Sequence, residues 1–378
     1  MPKLFNRRRV LAAVGYGLAG TLTGAPPAGG TEVEPLVADF ISRWRLPGAC
    51  TAIIRDGVVS AHVAGRVRSD QGTPVTPQTL FQAASLSKSI AAVAALILVQ
   101  RGTLALDTDV NEYLTTWKLP SSPLSQSNPV TLRRLLSMSG GINVPGYAGY
   151  PPGAPLPRLA QILDGAPPAN SEPVRVTYPP GSKQVYSGGG YEIVEAVIES
   201  VTGTPFGRVA HDLVLGPAGM SSSRFDQPLP PGPSARAAWG HYLDGRPMPG
   251  GGNVFPELAA AGLWSTPSDL ARFLTMLSNA HRASADALLS PEILREMLRP
   301  TGSLNYGLGG VVSGSGRGLV FMKRGHNLGF NNTMLIFPES GHGAVVMTNS
   351  ENAYGMLEPL INRFAVDYNW PPYPGLLD

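Results

Sequence analysis

The stretch Phe81-Gln82-Ala83-Ala84-Ser85-Leu86-Ser87-Lys88 lies where a short extended segment meets a long apolar helical pattern over residues 90–99. A serine and a lysine three positions apart share one helical face, so the amine of Lys88 can reach the hydroxyl of Ser85. The amino end of a helix favours developing negative charge, and burial can lower the pKa of a lysine until it accepts a proton. This spacing predicts an acylation centre, although the same motif is also typical of a capped helix with a solvated lysine.

The composition indicates a large globular protein. The 378 residues are 43% hydrophobic and 15% charged, which is sufficient for a sizeable core in one domain or two lobes. The formal net charge is only +3 and there is no basic stripe, so binding of nucleic acid is not expected. No group of His, Cys and Asp has the spacing of metal ligands, so neither a metal nor an organic cofactor is expected. The single cysteine, Cys50, is interpreted as a buried strand residue rather than a nucleophile.

Residues 1–28 are predicted to be a signal peptide. Arg7-Arg8-Arg9 precede a mild apolar run over residues 10–22 and a small-residue segment suited to cleavage, Thr23-Gly24-Ala25. The arginines also resemble a twin-arginine signal, so we expect a periplasmic or secreted protein; a basic tail on a cytosolic protein is the alternative. The apolar run is shorter than the ~18–20 residues of a membrane span, and no later segment is long enough, so no stable span is expected in the mature chain. The sequence leaves the oligomeric state unknown.

Strand patterns occur at both ends of the chain, and the middle is mainly helical. Helices are predicted over residues 32–45, 132–138, 159–164, 189–201, 206–213, 267–279, 291–297 and 354–366. Strands are predicted over residues 49–55, 58–64, 319–322, 333–337 and 344–348, the first two joined by a hairpin turn at Asp56-Gly57. This order predicts an α/β (α+β) fold with one antiparallel sheet built from both chain ends and flanked by helices. A mainly helical lobe, approximately residues 100–305, would be inserted, with a cleft between the lobes.

A second motif, Tyr186-Ser187-Gly188-Gly189-Gly190-Tyr191, precedes a helical pattern. Nearby cations lower the pKa of a tyrosine, so Tyr186 can act as general base or acid towards Ser85 and a leaving group. The glycines allow backbone to come close to a ligand. Without the first motif, a glycine-rich helix start with a packing tyrosine would be the better interpretation.

A third motif, Lys323-Arg324-Gly325-His326-Asn327, follows the strand predicted over residues 319–322. A lysine at a strand end can supply positive potential for a carboxylate and perturb the tyrosine. The glycine allows a substrate to lie against the strand edge. Taken alone, a hairpin turn with solvated Lys323 and Arg324 would be the better interpretation.

The three motifs in this order resemble the serine β-lactamase and penicillin-binding-protein superfamily, in particular its branch of class C β-lactamases, D,D-peptidases and family VIII esterases. The likeness covers nearly all of residues 29–378 and includes residues 102–107, 132–141, 261–270 and 337–341. It implies a β-lactamase/transpeptidase-like fold, with Ser85 as nucleophile, Lys88 as its proton partner and Tyr186 as base and proton shuttle. It also implies that Lys323 to Gly325 form the Lys-Thr-Gly or His-x-Gly strand. The oxyanion hole would use the backbone N–H groups of Ser85 and His326.

Three departures from the family pattern concern substrate binding. Gly188 replaces the asparagine of Tyr-x-Asn and offers no side-chain amide to a substrate carbonyl. Arg324 replaces the threonine of Lys-Thr-Gly, and either recognises a carboxylate in another way or faces solvent. Lys323 is aligned through the downstream Asn327-x-Gly329-Phe330; a shifted register, in which His326 takes the catalytic place, is the alternative.

Together these features predict an exported serine hydrolase that forms an acyl-enzyme on an amide or ester carbonyl. A D-amino-acid peptide or a related substrate of the peptidase or β-lactamase type is the first expected substrate, and a carboxylic ester is the second. The altered second and third motifs argue mildly against an efficient β-lactamase. A protein of another class, a non-catalytic cell-wall or peptide-binding protein, would have no need to keep Ser85, Lys88 and Tyr186 together. The other histidines, His241, His281 and His342, are expected at the surface or in structural roles.

Overall fold

The computed structural model describes residues 33–371 and residue 375, so the predicted signal peptide lies outside the described residues. The strands are β1 (Gly48–Arg55), β2 (Val58–Gly65), β3 (Phe81–Gln82), β4 (Trp264–Ser265), β5 (Val311–Ser313), β6 (Val320–Asn327), β7 (Phe330–Phe337) and β8 (His342–Thr348). The helices are α1 (Val33–Trp44), α2 (Ser87–Gln100), α3 (Val110–Tyr113), α4 (Leu132–Leu136), α5 (Leu159–Asp164), α6 (Gly188–Thr202), α7 (Phe206–Ala210), α8 (Pro231–Ser234), α9 (Leu258–Ala261), α10 (Pro267–His281), α11 (Pro291–Met297) and α12 (Tyr354–Asp367). The helix predicted over residues 206–213 is instead split, because a π-helical turn, His211–Leu215, follows α7.

A six-stranded antiparallel sheet uses both ends of the chain. Its strand order is β2-β1-β8-β7-β6-β5, and each neighbouring pair is antiparallel. In the β1–β2 hairpin, Asp56 and Gly57 adopt φ angles of 52° and 78°, the left-handed values that suit a two-residue turn between twisted strands. The prediction of one antiparallel sheet from both chain ends, flanked by helices, is therefore confirmed.

Helix α2 carries the first motif into the interior of the molecule. Every residue from Ser87 to Leu98 is buried, which explains why its apolar pattern is continuous instead of one-sided. The helix contacts α6 and α9, while α10 lies against the sheet at β1, β7 and β8. Cys50 is fully buried in β1, and burial raises the pKa of its thiol to about 12, so the interpretation as a buried strand residue is confirmed.

Strand β6 is longer than its sequence predicts. The predicted strand stops at residue 322, whereas the observed strand continues through Lys323 to Asn327. Polar residues are tolerated there because β5 pairs with residues 320–322 and ends, which leaves the following residues of β6 on an open sheet edge. The interpretation of Lys323 and Arg324 as part of a hairpin turn is therefore wrong; the turn comes after Asn327.

Two negative findings concern residues 33–371. None of the helices there combines the length and apolar character that crossing a bilayer requires. In the same residues, no group of three or more His, Cys, Asp or Glu side chains is arranged to hold a metal ion.

Of the remaining histidines, His241 is fully buried: it accepts from the Ser69 N–H at 3.0 Å and donates to the Asn349 carbonyl at 2.8 Å. Its role is structural.

Candidate active site

Ser85 lies in a 3₁₀ turn, Ala84–Leu86, directly before α2. Upstream of the turn, the N–H of Ala83 donates to the Leu263 carbonyl at 2.8 Å. Ala84 adopts a left-handed φ of 53°, which costs a non-glycine residue about 1–3 kcal/mol and persists only where the surroundings enforce it. The turn presents Ser85 at the start of a helical segment, where backbone N–H groups have no intrahelical acceptor.

Lys88 reaches back from the first turn of α2 to Ser85. Its Nζ donates to Ser85 Oγ at 3.1 Å and to the Ala260 carbonyl at 2.7 Å, and the residue is only 1% exposed. Burial lowers the pKa of Lys88 below its ordinary value, and the neighbouring Tyr186 opposes that shift. Lys88 is therefore not the solvated lysine of an ordinary capped helix.

The segment before α6 brings Tyr186 to the same place. On one side, the N–H of Val185 donates to the Met138 carbonyl at 2.8 Å. On the other side, the hydroxyl of Ser187 caps α6 by accepting from the Gly190 N–H at 3.0 Å. These contacts fix the backbone around Tyr186, and the glycines that follow allow α6 to begin close to the neighbouring loop.

The hydroxyl of Tyr186 lies in a strongly positive environment. The Nζ atoms of Lys88 and Lys323 are each 5.1 Å from the centroid of its ring. Burial acts to raise the pKa of Tyr186, but the charges of Lys323 and Lys88, with hydrogen bonds from Ser85 and Lys88, outweigh burial and lower the pKa to about 7. A phenol that ionises at neutral pH can accept a proton from a serine hydroxyl within hydrogen-bonding reach.

Strand β6 supplies the third motif. Lys323 is 6% exposed, and its Nζ donates to the Arg324 carbonyl at 2.7 Å. Gly325 lies against the turn that carries Ser85: a Cβ at this position would be 2.5 Å from the Ala83 carbonyl oxygen. Glycine therefore allows β6 and the serine turn to approach each other this closely.

The register of the β6–β7 hairpin determines which N–H groups of β6 point to β7 and which point to the opposite edge of the strand. Asn327 pairs with Phe330 across a two-residue turn, so this pair and every second pair along the ladder are hydrogen-bonded. The N–H groups of Arg324 and His326 consequently point to the opposite edge, past the end of β5. The backbone of His326 thus borders the same cavity as Ser85, on an edge to which an extended chain can pair.

The side chains of Arg324 and His326 lie on the face of β6 opposite to Lys323, because alternate strand residues face opposite sides. His326 Nε2 is 2.9 Å from Glu351 Oε1. The guanidinium of Arg324 is 4.0 Å from the centroid of the Tyr354 ring, and its Nη2 donates to the Tyr354 carbonyl at 3.3 Å. The lysine is therefore the side chain of this motif that reaches the site tyrosine, and a register with the His326 imidazole in that place does not fit.

Gly188 begins α6 directly beside the loop of residues 145–147. A Cβ at Gly188 would lie 3.0 Å from the ring of Tyr147 and 3.4 Å from the Pro145 carbonyl oxygen. The loop thus occupies the space around position 188 and gives a physical reason for glycine where the resemblance leads one to expect asparagine. Sequence reasoning did not identify Tyr147, because nothing near it in the chain links it to position 188.

A cavity of about 840 Å³ opens over these groups. Ser85, Lys88, Tyr186 and Lys323 contribute its convergent polar atoms. Its apolar lining includes Pro145, Tyr147, Leu304, Tyr306, Val311 and Leu357. A concave, largely apolar site with a few converging polar groups is typical of small-molecule binding.

Comparison with known proteins agrees with this geometry. The family model described as Beta-lactamase matches residues 33–362. The chain belongs to the beta-lactamase family. Esterase EstB of Burkholderia gladioli is 32% identical over 215 residues, which cover 54% of this chain and 52% of that protein. A putative D-alanyl-D-alanine carboxypeptidase of Escherichia coli O157:H7 is 25% identical over 387 residues, covering 89% of this chain and 87% of that protein. The solved octameric penicillin-binding protein homologue from Pyrococcus abyssi matches with a TM-score of 0.72 at 25% identity, covering 90% and 77% of the two chains.

Membership of the beta-lactamase family makes this protein a serine hydrolase, and it confirms the resemblance and the β-lactamase/transpeptidase-like fold.

Two contacts of Lys88 were not anticipated from the sequence. The Tyr191 ring centroid is 5.6 Å from its Nζ, and the Ala260 carbonyl accepts its hydrogen bond. Tyr191 belongs to the second motif and could have been noticed there, whereas a backbone carbonyl 172 residues away has no sequence signature.

Gly325→Ala tests the close approach of β6 to Ser85. We expect kcat with an activated ester to fall about 10²–10³-fold, the range typical of losing one backbone donor at such a site. The reason is that a Cβ 2.5 Å from the Ala83 carbonyl forces the strand away from the serine turn. Gly232→Ala is the matched control, because a Cβ there meets no atom within 4 Å. Equal kcat for the two variants, measured on folded protein, would contradict this account.

Proposed function

We propose that this beta-lactamase family member hydrolyses an amide or ester carbonyl through an acyl-enzyme on Ser85. The observation that carries the proposal is the contact of Lys88 Nζ with Ser85 Oγ at 3.1 Å, beside a tyrosine whose pKa is lowered to about 7. A serine hydroxyl is a weak nucleophile until a neighbouring base removes its proton. Here the Tyr186 phenolate is that base, and the buried Lys88 stabilises its charge.

The proposed reaction has two halves. Ser85 Oγ attacks the carbonyl carbon while its proton moves to Tyr186, and the N–H groups of Ser85 and His326 stabilise the oxyanion that forms. Tyr186 then returns the proton to the departing amine or alcohol, leaving an ester on Ser85. In the second half, water gives a proton to the same phenolate and attacks the ester, which releases the acid and restores the hydroxyl of Ser85.

A D-amino-acid peptide or a related amide is the substrate that we propose first. The edge of β6 past the end of β5 presents the His326 N–H towards the cavity, where an extended chain can pair, and the side chain of Lys323 lies beside it as a partner for a carboxylate. The E. coli relative named as a putative D-alanyl-D-alanine carboxypeptidase aligns with 89% of this chain, which supports the same class.

A carboxylic ester is the second candidate, and a specific observation favours it. Gly188 supplies no side-chain amide, and the ring of Tyr147 lies against it, so this part of the cavity is apolar. An ester needs fewer hydrogen bonds from the enzyme than a peptide does, since it has no N–H to satisfy. The similarity to Esterase EstB supports this candidate.

Covalent labelling and a substrate panel test the proposal. We expect a fluorophosphonate probe to add one label, located on Ser85 by mass spectrometry, with none on the Ser85→Ala control. Hydrolysis of D-alanyl peptides, p-nitrophenyl esters and a β-lactam is then compared by kcat/KM. A preference for D-peptides supports the first candidate, and a preference for esters supports the second. A folded protein that neither reacts with the probe nor turns over any substrate would instead be a non-catalytic binding protein.

The pH dependence of kcat/KM tests the role of Lys323. In the wild type, activity should rise with pH around the Tyr186 pKa of about 7, because the ionised phenol is the active form. Lys323 lowers that pKa, so Lys323→Met raises it and moves the rising limb to higher pH. Lys183→Met, which removes an exposed ammonium stacked 3.6 Å from the Tyr178 ring centroid, is the control and leaves the limb in place. A limb that stays or moves to lower pH in Lys323→Met would exclude this role.

We further propose that the protein is exported to the periplasm or secreted, which rests on the basic and apolar pattern of residues 1–28. Cell fractionation of the full chain in a bacterium with a twin-arginine pathway provides the test. We expect the wild type outside the cytoplasm, and retention inside when Arg7, Arg8 and Arg9 are all replaced by lysine. Cytoplasmic wild-type protein would refute export, and export of the triple variant would refute the twin-arginine route.

A further inference from the structure

Two glutamates of α6 are buried close to the active site, and the mechanism above does not use them. Glu192 is 0% exposed and Glu195 is 3% exposed. Three positions apart, they lie on the same face of the helix. Placing carboxyl groups in an apolar interior is unfavourable unless they form hydrogen bonds, so their partners indicate what they do.

The partners of both carboxyl groups are backbone amides of the short helix α9. Glu195 Oε2 accepts from the Ala259 N–H at 2.8 Å, and Glu192 Oε1 accepts from the Ala260 N–H at 3.2 Å. N–H groups in the first turn of a helix have no intrahelical acceptor, and here no solvent replaces one, because Ala259 and Ala260 are buried. The two carboxyl groups thus act as caps from a neighbouring helix.

The far side of α9 contacts the active site. The Ala260 carbonyl accepts from Lys88 Nζ at 2.7 Å, and the Ala261 carbonyl accepts from Asn327 Nδ2, on β6, at 3.4 Å. One N–H bond of the Lys88 amine points to the Ala260 carbonyl. Its remaining hydrogen-bonding directions are therefore oriented towards Ser85 and Tyr186. A rotation of α9 would therefore misdirect the amine.

We propose that Glu192 is a positioning residue for the reaction: by binding the Ala260 N–H it holds the carbonyl that orients Lys88 against Ser85. This inference rests on the proposed acyl-enzyme function. Glu192 acts by accepting a hydrogen bond and not through its charge. Glu195 supports the same turn one residue earlier.

The titratable groups that interact with Glu192 are Lys88 from α2, Glu195 on α6, Glu257 before α9, and Tyr147 and Tyr150 from the loop before α5. Burial raises the pKa of Glu192 well above its ordinary value, and repulsion from Glu195 and Glu257 raises it further. A carboxyl group in this position therefore favours its neutral form more than an exposed one does. Glutamine has the same shape and the same acceptor oxygen, so Glu192→Gln should reproduce the wild type.

The test compares rates of fluorophosphonate labelling at Ser85 in the wild type, Glu192→Gln and Glu192→Leu, with thermal unfolding measured on each. We expect Glu192→Gln to label within about threefold of the wild type and Glu192→Leu to label about 10–100-fold more slowly, the scale of a small misplacement of a catalytic group. The decrease in labelling by Glu192→Leu should appear in the maximal labelling rate. The probe concentration that gives half of the maximal rate should change little. Thermal unfolding gives the folded fraction at the assay temperature, and each rate is divided by that fraction, so partial unfolding does not imitate a slower rate.

Val197→Ala, which removes buried volume from α6 at a position on a different face of the helix from Glu192 and Glu195, is the control for lost stability and should label at the wild-type rate. If Glu192→Leu does not fold, Glu192→Asn replaces it: the shortened amide withdraws its oxygen from Ala260 and should also slow labelling. A wild-type rate in the leucine or asparagine variant overturns the inference, as does a glutamine variant as slow as leucine. Absence of labelling in the wild type would refute the proposed function itself.

Discussion

The proximity of two lysine ammonium groups to one tyrosine hydroxyl is the interaction on which the rest of the site depends. Lys88 and Lys323 are both buried, and a charge in such a position is unfavourable unless an opposite charge lies nearby. The phenolate of Tyr186 supplies that charge when the side chain ionises, and the charges of Lys323 and Lys88 are among the causes that lower its pKa to about 7. Ser85 lies within reach of the same cluster, so in the proposed mechanism one electrostatic arrangement both stabilises the site and prepares the nucleophile.

The fold serves this arrangement by joining three distant parts of the chain at short range. The 3₁₀ turn carries Ser85, the segment before α6 carries Tyr186, and β6 carries Lys323. Hydrogen bonds from Asn327 and Asn332 to Gln82, both at 2.9 Å, connect β6 and β7 to the strand that precedes the serine. Because Gly325 has no side chain, the serine turn and strand β6 can approach closely, and these hydrogen bonds fix the distance between them.

The sequence alone predicts those parts of the site that depend on local geometry. Ser85 and Lys88 are one helical turn apart, so their contact follows from spacing, whereas the approach of Tyr186 depends on long-range folding and was implied by the family resemblance. The predicted length of strand β6 was too short because Lys323 and Arg324 are residue types that are also common in turns. Polar residues such as these are equally compatible with a strand edge that borders a cavity. Glu192 escaped notice since its partner, a backbone amide, leaves no mark in the sequence.

The most direct test of the proposed mechanism is a measurement of the pKa of Tyr186. Tyrosine labelled with ¹³C at Cζ reports the protonation of each phenol by its NMR shift, and Tyr186→Phe identifies the resonance. We predict that this resonance titrates at about pH 7. A Tyr186 resonance that does not titrate below about pH 9, close to the ordinary pKa of the side chain, would contradict the central claim.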